Sequence, residues 1–166
     1  MNVRERTEDD LDICEELGRT VHKLDGYPIY LPGSLRSFLF SSGALGAWVA
    51  EIGGDIVGHV ALHRRSSDAV MKVAVDFTGL PAERFGVVAR LLVAAEARRH
   101  GVGRALLLTA AENAVSRGLR PMLDVVTRHR GAVHLYEDAG WIRAGETVVP
   151  FGNGDSVTEI VFLGPL

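Results

Sequence analysis

Between Phe85 and Val115 the chain reads FGVVARLLVAAEARRHGVGRALLLTAAENAV, a strand, a glycine turn and a helix in direct succession. Val87, Val88, Leu91, Leu92 and Val93 form a short apolar run rich in β-branched residues, the pattern of a strand covered on both faces. Arg98-Arg99-His100-Gly101-Val102-Gly103-Arg104 follows, and then Ala105 to Val115, dominated by strong helix formers. Glycines at this junction let the chain turn sharply and bring backbone N–H groups close to a ligand. The first helical turn adds N–H donors and the positive end of the helix dipole, a setting that suits a phosphate or pyrophosphate.

A lone Gly-x-Gly also serves as a plain strand-to-helix turn. A dinucleotide fingerprint needs a third glycine at position 106, where this chain has Leu106, and its ribose acid at a strand end. Asp124 lies at about the right distance but sits inside an apolar run. The basic cluster Arg98, Arg99, His100 and Arg104 has no interleaved aromatics to stack bases. With a formal net charge of −3, nothing demands a nucleic acid or an anionic membrane, and a small phosphate-bearing molecule accounts for the cluster.

The 166 residues predict one domain spanning 1–166, with the 47% apolar and 23% charged content of an ordinary globular protein. The single Cys14 excludes an internal disulfide and falls on the inner face of a helix. MNVRERTEDD lacks the apolar stretch of a signal peptide, and no run reaches the ~18 apolar residues of a membrane span. A cytoplasmic location is expected. A homodimer is compatible with the sequence, which does not set the oligomeric state.

Residues 2–6 read as a first strand. Thr7, with Asp10 three positions on, starts a helix whose inner face is Leu11, Cys14, Leu17, Val21 and Leu24. Asp25 to Gly33, with Tyr27, Pro28, Tyr30 and Pro32, reads as an exposed loop, and Ser34 caps a short helix through Phe40. Residues 45–52 and 55–64 form a hairpin across Gly53-Gly54. His59 and His63 share a face of its second strand; without further ligands at credible spacing they are satisfied or solvent-facing rather than metal-bound.

Ser66 to Arg84 is open to two readings. Met71, Val73, Val75 and Phe77 alternate like a strand, whereas Val70, Ala74 and Phe77 suit a helix begun by Asp68 and ended at Gly79; the helix is favoured. Arg117-Gly118 ends the central helix, and 121–127 is the next strand. Ala132, Leu135, Tyr136 and Ala139 mark a short helix closed by Gly140. Strands 141–149 and 157–163 form a hairpin around Gly152-Asn153-Gly154-Asp155.

Two motifs carry a family likeness. Leu91-x-Val93 followed by Arg98-x-x-Gly101-x-Gly103 resembles the acyl-CoA-binding motif of the GNAT superfamily of N-acetyltransferases. Ala132-Val133-His134-Leu135-Tyr136-Glu137-Asp138-Ala139-Gly140-Trp141 resembles that superfamily's Ala-x-x-Leu-Tyr-x-x-x-Gly-Phe segment. The likeness covers about residues 45–163. It implies a mixed, mostly antiparallel α/β sheet of about six to seven strands flanked by helices, and acetyl transfer from acetyl-CoA to a primary amine of a small molecule, peptide or protein. A non-catalytic acyl-CoA-binding module is the alternative.

By this resemblance, the backbone of Leu91, Leu92 and Val93 pairs with the pantetheine arm. The turn of Arg98, Arg99, His100, Gly101, Val102, Gly103 and Arg104 cradles the pyrophosphate. Tyr136 takes the place of the general acid that protonates the leaving sulfur; an aromatic at helical spacing can equally be packing. Where relatives often carry an Asn cofactor contact, this chain has His129. Where they often place a Glu base on the central strand, it has Arg90. Glu96, His59 and His63 are the candidate bases, and bulk water is the remaining one.

Overall fold

The computed structural model describes residues 1–29, 31 and 33–165. Its elements, in chain order, are β1 (Asn2–Glu5), α1 (Leu11–Asp25), α2 (Leu35–Leu39), β2 (Ala44–Ile52), β3 (Asp55–His63), α3 (Asp68–Thr78), β4 (Phe85–Val93), α4 (Val102–Ser116), β5 (Arg120–Val126), α5 (Arg130–Asp138), β6 (Ile142–Phe151) and β7 (Asp155–Leu163). The strands run in the order β1-β2-β3-β4-β5-β7-β6. The chain divides into two compact units, Met1–Leu62 with Arg90–Ala110, and His63–Ala89 with Ala111–Leu166.

In the first unit β1 pairs antiparallel with β2, and β3 returns across Gly53-Gly54, both with positive φ, as a two-residue hairpin turn requires. Thr7 and Asp10 close the entry to α1: the Thr7 N–H donates to Asp10 Oδ2 at 2.7 Å. Arg4 holds the same carboxylate through both terminal nitrogens, at 2.7 and 2.8 Å. Those two hydrogen bonds hold the Asp10 carboxyl well below the usual carboxylate range. A single 3₁₀ turn, Glu8–Asp10, precedes the α-helix, so α1 begins later than the capping pattern alone suggests.

Cys14, Leu17 and Val21 form the inner face of α1, and burial pushes the Cys14 thiol up to about 11. Leu24 does not belong to that face; it is 60% exposed at the last turn, where Gly26 in the left-handed region ends the helix. Ser34 and Ser37 cap each other at the start of α2: the Ser37 N–H donates to Ser34 Oγ at 3.1 Å, and the Ser34 N–H to Ser37 Oγ at 3.2 Å. Tyr30 and Pro32 of the expected loop lie outside the described residues.

In the second unit β4 and β5 are parallel, as a connection through a helix demands, while β5–β7 and β6–β7 are antiparallel. Within the open segment 66–84, Asp68–Thr78 is an α-helix. Ser67 caps α3 by accepting from the Val70 N–H at 3.3 Å, and Gly79 (φ 73°) ends it. Val70, Met71 and Ala74 join a core with Phe85, Val87, Met122, Val161 and Leu163. Phe77, placed on the inner face by the sequence pattern, is instead 54% exposed, and Met71 takes that role.

Candidate active site

The central strand reaches Val93 and then turns. The parallel ladder to β5 covers Phe85, Gly86 and Val87, and Leu91–Val93 lie beyond it. Leu92 is buried, while Leu91 and Val93 are half-exposed. The Ala94 N–H donates to the Val57 carbonyl at 2.9 Å, fixing the end of the strand against β3. A short 3₁₀ turn, Ala95–Ala97, leads to the basic segment.

That segment is pinned from within. Arg98 Nε donates to the Val93 carbonyl at 3.2 Å, and its terminal nitrogens hold the Asp25 carboxylate at the end of α1. The His100 ring Nδ1–H donates to the Arg98 carbonyl at 2.7 Å. Arg99 (φ 64°) and Gly101 (φ 80°) adopt the left-handed backbone that makes so tight a turn possible. Helix α4 starts at Val102, three residues earlier than the composition suggested, and its first α-helical bond runs from the Ala105 N–H to the Gly101 carbonyl at 3.0 Å. The amides of Val102 and Gly103 therefore lie ahead of the ladder, at the positive end of a 15-residue helix.

The structure thus brings Leu91, Leu92, Val93, Arg98, Arg99, His100, Gly101, Val102, Gly103 and Arg104 into one strand–turn–helix unit. Glu96 belongs to it too, exposed on the 3₁₀ turn. It lines a groove of about 420 Å³ along α1 with Asp12, Ile13, Glu16, Leu17 and Ala94.

Tyr136 and His129 belong to the second unit. The carbonyl of His129 accepts from the Ala132 and Val133 N–H groups, both at 3.1 Å, and so starts α5. Tyr136 is 7% exposed, its ring centroid 5.7 Å from that of Phe162 and 6.3 Å from that of Trp141. The buried stripe of α5 is Val133 and Tyr136; Ala132, Leu135 and Ala139 flank it.

His59 is not placed as a base. It is wholly buried, with Nδ1 2.9 Å from the Arg90 carbonyl and Nε2 2.9 Å from Arg6 Nη1. A carbonyl only accepts and a guanidinium only donates, so Nδ1 carries the proton and the Nε2 lone pair is taken up by Arg6. His63 is likewise buried and not solvent-facing. Among the described residues no group of three or more His, Cys, Asp or Glu side chains could hold a metal ion.

One further feature escaped the sequence. Asp124 on β5 and Glu159 on β7 share a hydrogen bond, and burial, then the Asp124 charge, pushes the Glu159 carboxyl up to about 7. Both influences favour the protonated form of the Glu159 carboxyl. Nothing in the spacing of Asp124 and Glu159 announces their meeting, which depends on β7 lying beside β5.

A basic, internally braced turn between a central strand and the N-terminus of a long helix marks this α/β protein, and such a helix start is chemically suited to an anionic group. The chain belongs to the acetyltransferase (GNAT) family, whose model matches residues 11–141. No curated protein matches the sequence. Similar solved structures include the ribosomal-protein-alanine N-acetyltransferase from Brucella melitensis, at 20% identity over 100% of both chains with a TM-score of 0.73. An N-acetyltransferase from Staphylococcus aureus is 15% identical over 98% of this chain and 96% of its own, with a TM-score of 0.74. Arabidopsis thaliana NAA60, solved in complex with acetyl-CoA, is 16% identical over 98% of this chain and 96% of its own, with a TM-score of 0.71. At these identities the likeness is one of fold.

Proposed function

We propose that the chain acts as one domain that moves the acetyl group of acetyl-CoA to a primary amine. The observation that carries this reading is the turn braced by Arg98 and His100, which delivers the first amides of α4 to the end of the central strand. Leu91, Leu92 and Val93 offer backbone to the pantetheine arm, and the amides from His100 to Arg104 receive the pyrophosphate. Arg98 and Arg99 add positive charge beside it, and His129 is a further cofactor contact. Arg98 works mainly as a strut, since Asp25 and the Val93 carbonyl already engage its guanidinium.

The amine nitrogen attacks the acetyl carbon, the carbon–sulfur bond breaks, and the amine loses a proton while the sulfur gains one. Tyr136 supplies the proton to sulfur, and Glu96 or bulk water takes the one from nitrogen. A cytoplasmic setting fits the lone, buried Cys14.

Incubation with acetyl-CoA and a panel of primary amines, with free thiol followed continuously, tests the proposal. Steady thiol release that depends on the amine supports it. Thermal stabilisation by CoA with no release for any amine would mark a binding module instead.

A further inference from the structure

Arg6 and Arg90 are half-buried, yet among the described residues neither has a carboxylate within ion-pair distance. Arg4, Arg19, Arg36, Arg65, Arg98 and Arg143 all do. Arg6 donates from Nη1 to the Leu39 carbonyl at 3.2 Å and to His59 Nε2, and its guanidinium lies 4.5 Å from the Phe40 ring centroid. Arg90 donates from Nε to the neighbouring Phe38 carbonyl at 3.2 Å, its guanidinium 4.2 Å from the Phe38 centroid. Two guanidinium groups thus stand on consecutive carbonyls at the end of α2. The neutral His59 ring, bonded to the Arg6 side chain and the Arg90 carbonyl, adds no charge and offsets none.

These contacts use the Nε of Arg90 and one terminal nitrogen of Arg6. The forked Nη groups of Arg90 have no protein acceptor among the described residues. Burial lowers the Arg6 pKa below its ordinary value, against the smaller opposing influence of the Cys14 and Asp10 charges. Arg90 also holds φ at 56° within a strand, a conformation that costs energy for a residue with a side chain, and its carbonyl accepts from His59 Nδ1. A carboxylate fits the planar fork of a guanidinium with two parallel hydrogen bonds. Arg90 directly precedes Leu91–Val93, the segment assigned to the acyl-bearing arm of the cofactor.

We propose that Arg90, backed by Arg6, binds a carboxylate on the acceptor, so that the acceptor is a small amine of the amino-acid class. The Phe38 ring, with Tyr27 edge-on at 6.0 Å, offers an apolar wall to its side chain. This inference rests on the acetyl-transfer reading, so its test needs no turnover. N-acetylalanine, N-acetylleucine and N-acetylphenylalanine, and the carboxamide of each, are titrated calorimetrically into the full-length protein with CoA present.

At least one acid binds about tenfold or more tightly than its amide, the discrimination expected of a charge-assisted pair. Arg90→Gln brings the two within about twofold while CoA affinity holds, and Arg90→Lys restores part of the gap. Acids and amides that bind alike, or acids that fail to bind where CoA does, overturn the inference even if thiol release is seen with other amines. So does an Arg90→Gln protein that melts earlier but still discriminates, because Arg90 is then only a cap on α2.

Discussion

Leu106 Cδ1 lies 2.7 Å from the point that a Cβ on Gly58 would occupy. Val102 Cγ1, at 3.0 Å, and the Leu92 carbonyl oxygen, at 3.2 Å, close the same space. The missing side chain on β3 lets the first turns of α4 settle directly on the sheet, and Leu106 is fully buried there. Where a dinucleotide-binding fold would carry a glycine on the helix, this chain carries its glycine on the neighbouring strand. The close approach is the same and the roles are exchanged.

Gly58→Ala should therefore cost about 1–3 kcal/mol through overpacking. Denaturant titration reads this as a lower midpoint at unchanged slope. Gly43, where an added Cβ would meet nothing within 4 Å, is the control; Gly43→Ala should stay within about 0.5 kcal/mol of the parent. Equal effects at the two positions would show that α4 does not depend on the Gly58 gap.

Gly103 lies in the first turn of α4, one residue past the helix start. Gly103→Val places a branched side chain where phosphate and backbone must approach. CoA raises the melting temperature of the parent protein more than pantetheine does, and the substitution removes most of that difference. Equal shifts from CoA and pantetheine in the parent would contradict the pyrophosphate assignment.

Tyr136→Phe keeps the ring against Trp141 and Phe162 and removes only the hydroxyl. Turnover should fall roughly 10²-fold, the low end for losing an acid–base group, with stabilisation by CoA retained. Turnover within a few-fold of the parent would leave Tyr136 a packing residue, in keeping with its burial.

The Glu159 carboxyl is raised from 4.5 to about 7 by burial and by Asp124. Between those values the folded state holds more protons at this carboxyl than the unfolded chain, so the contribution of Glu159 to stability is full below the lower value and is lost as pH rises through the upper one. Glu159→Gln fixes the neutral form. The melting temperature of the variant should fall less than that of the parent from about pH 5 to 8. Parallel curves would mean that the pair does not hold its proton.

Local chemistry announced much of this fold. The run from Val87 to Val93, the turn at Gly101 and the helix beyond it were legible because period, glycine placement and helix formers agree over one continuous stretch. The hairpin at Gly53-Gly54 was legible from its turn residues alone. Segment 66–84 was ambiguous by periodicity; the helix reading from Asp68 to Gly79 holds, and Ser67, which the pattern did not single out, supplies the N-cap. Leu24 and Phe77 misled because each sits at the last turn of its helix, where the core has already ended. The Arg6–His59–Arg90 cluster joins residues 53 and 31 positions apart, so no local pattern could place two cations without an acid between them.

The most direct measurement is the ratio of N-acetylated amine to free CoA thiol, both quantified from one reaction mixture of enzyme, acetyl-CoA and amine. Acetyl transfer predicts one acetylated amine for each thiol released, with neither formed when the amine is left out. Thiol without acetylated amine, or tight CoA binding with neither product across the amine panel, would contradict it.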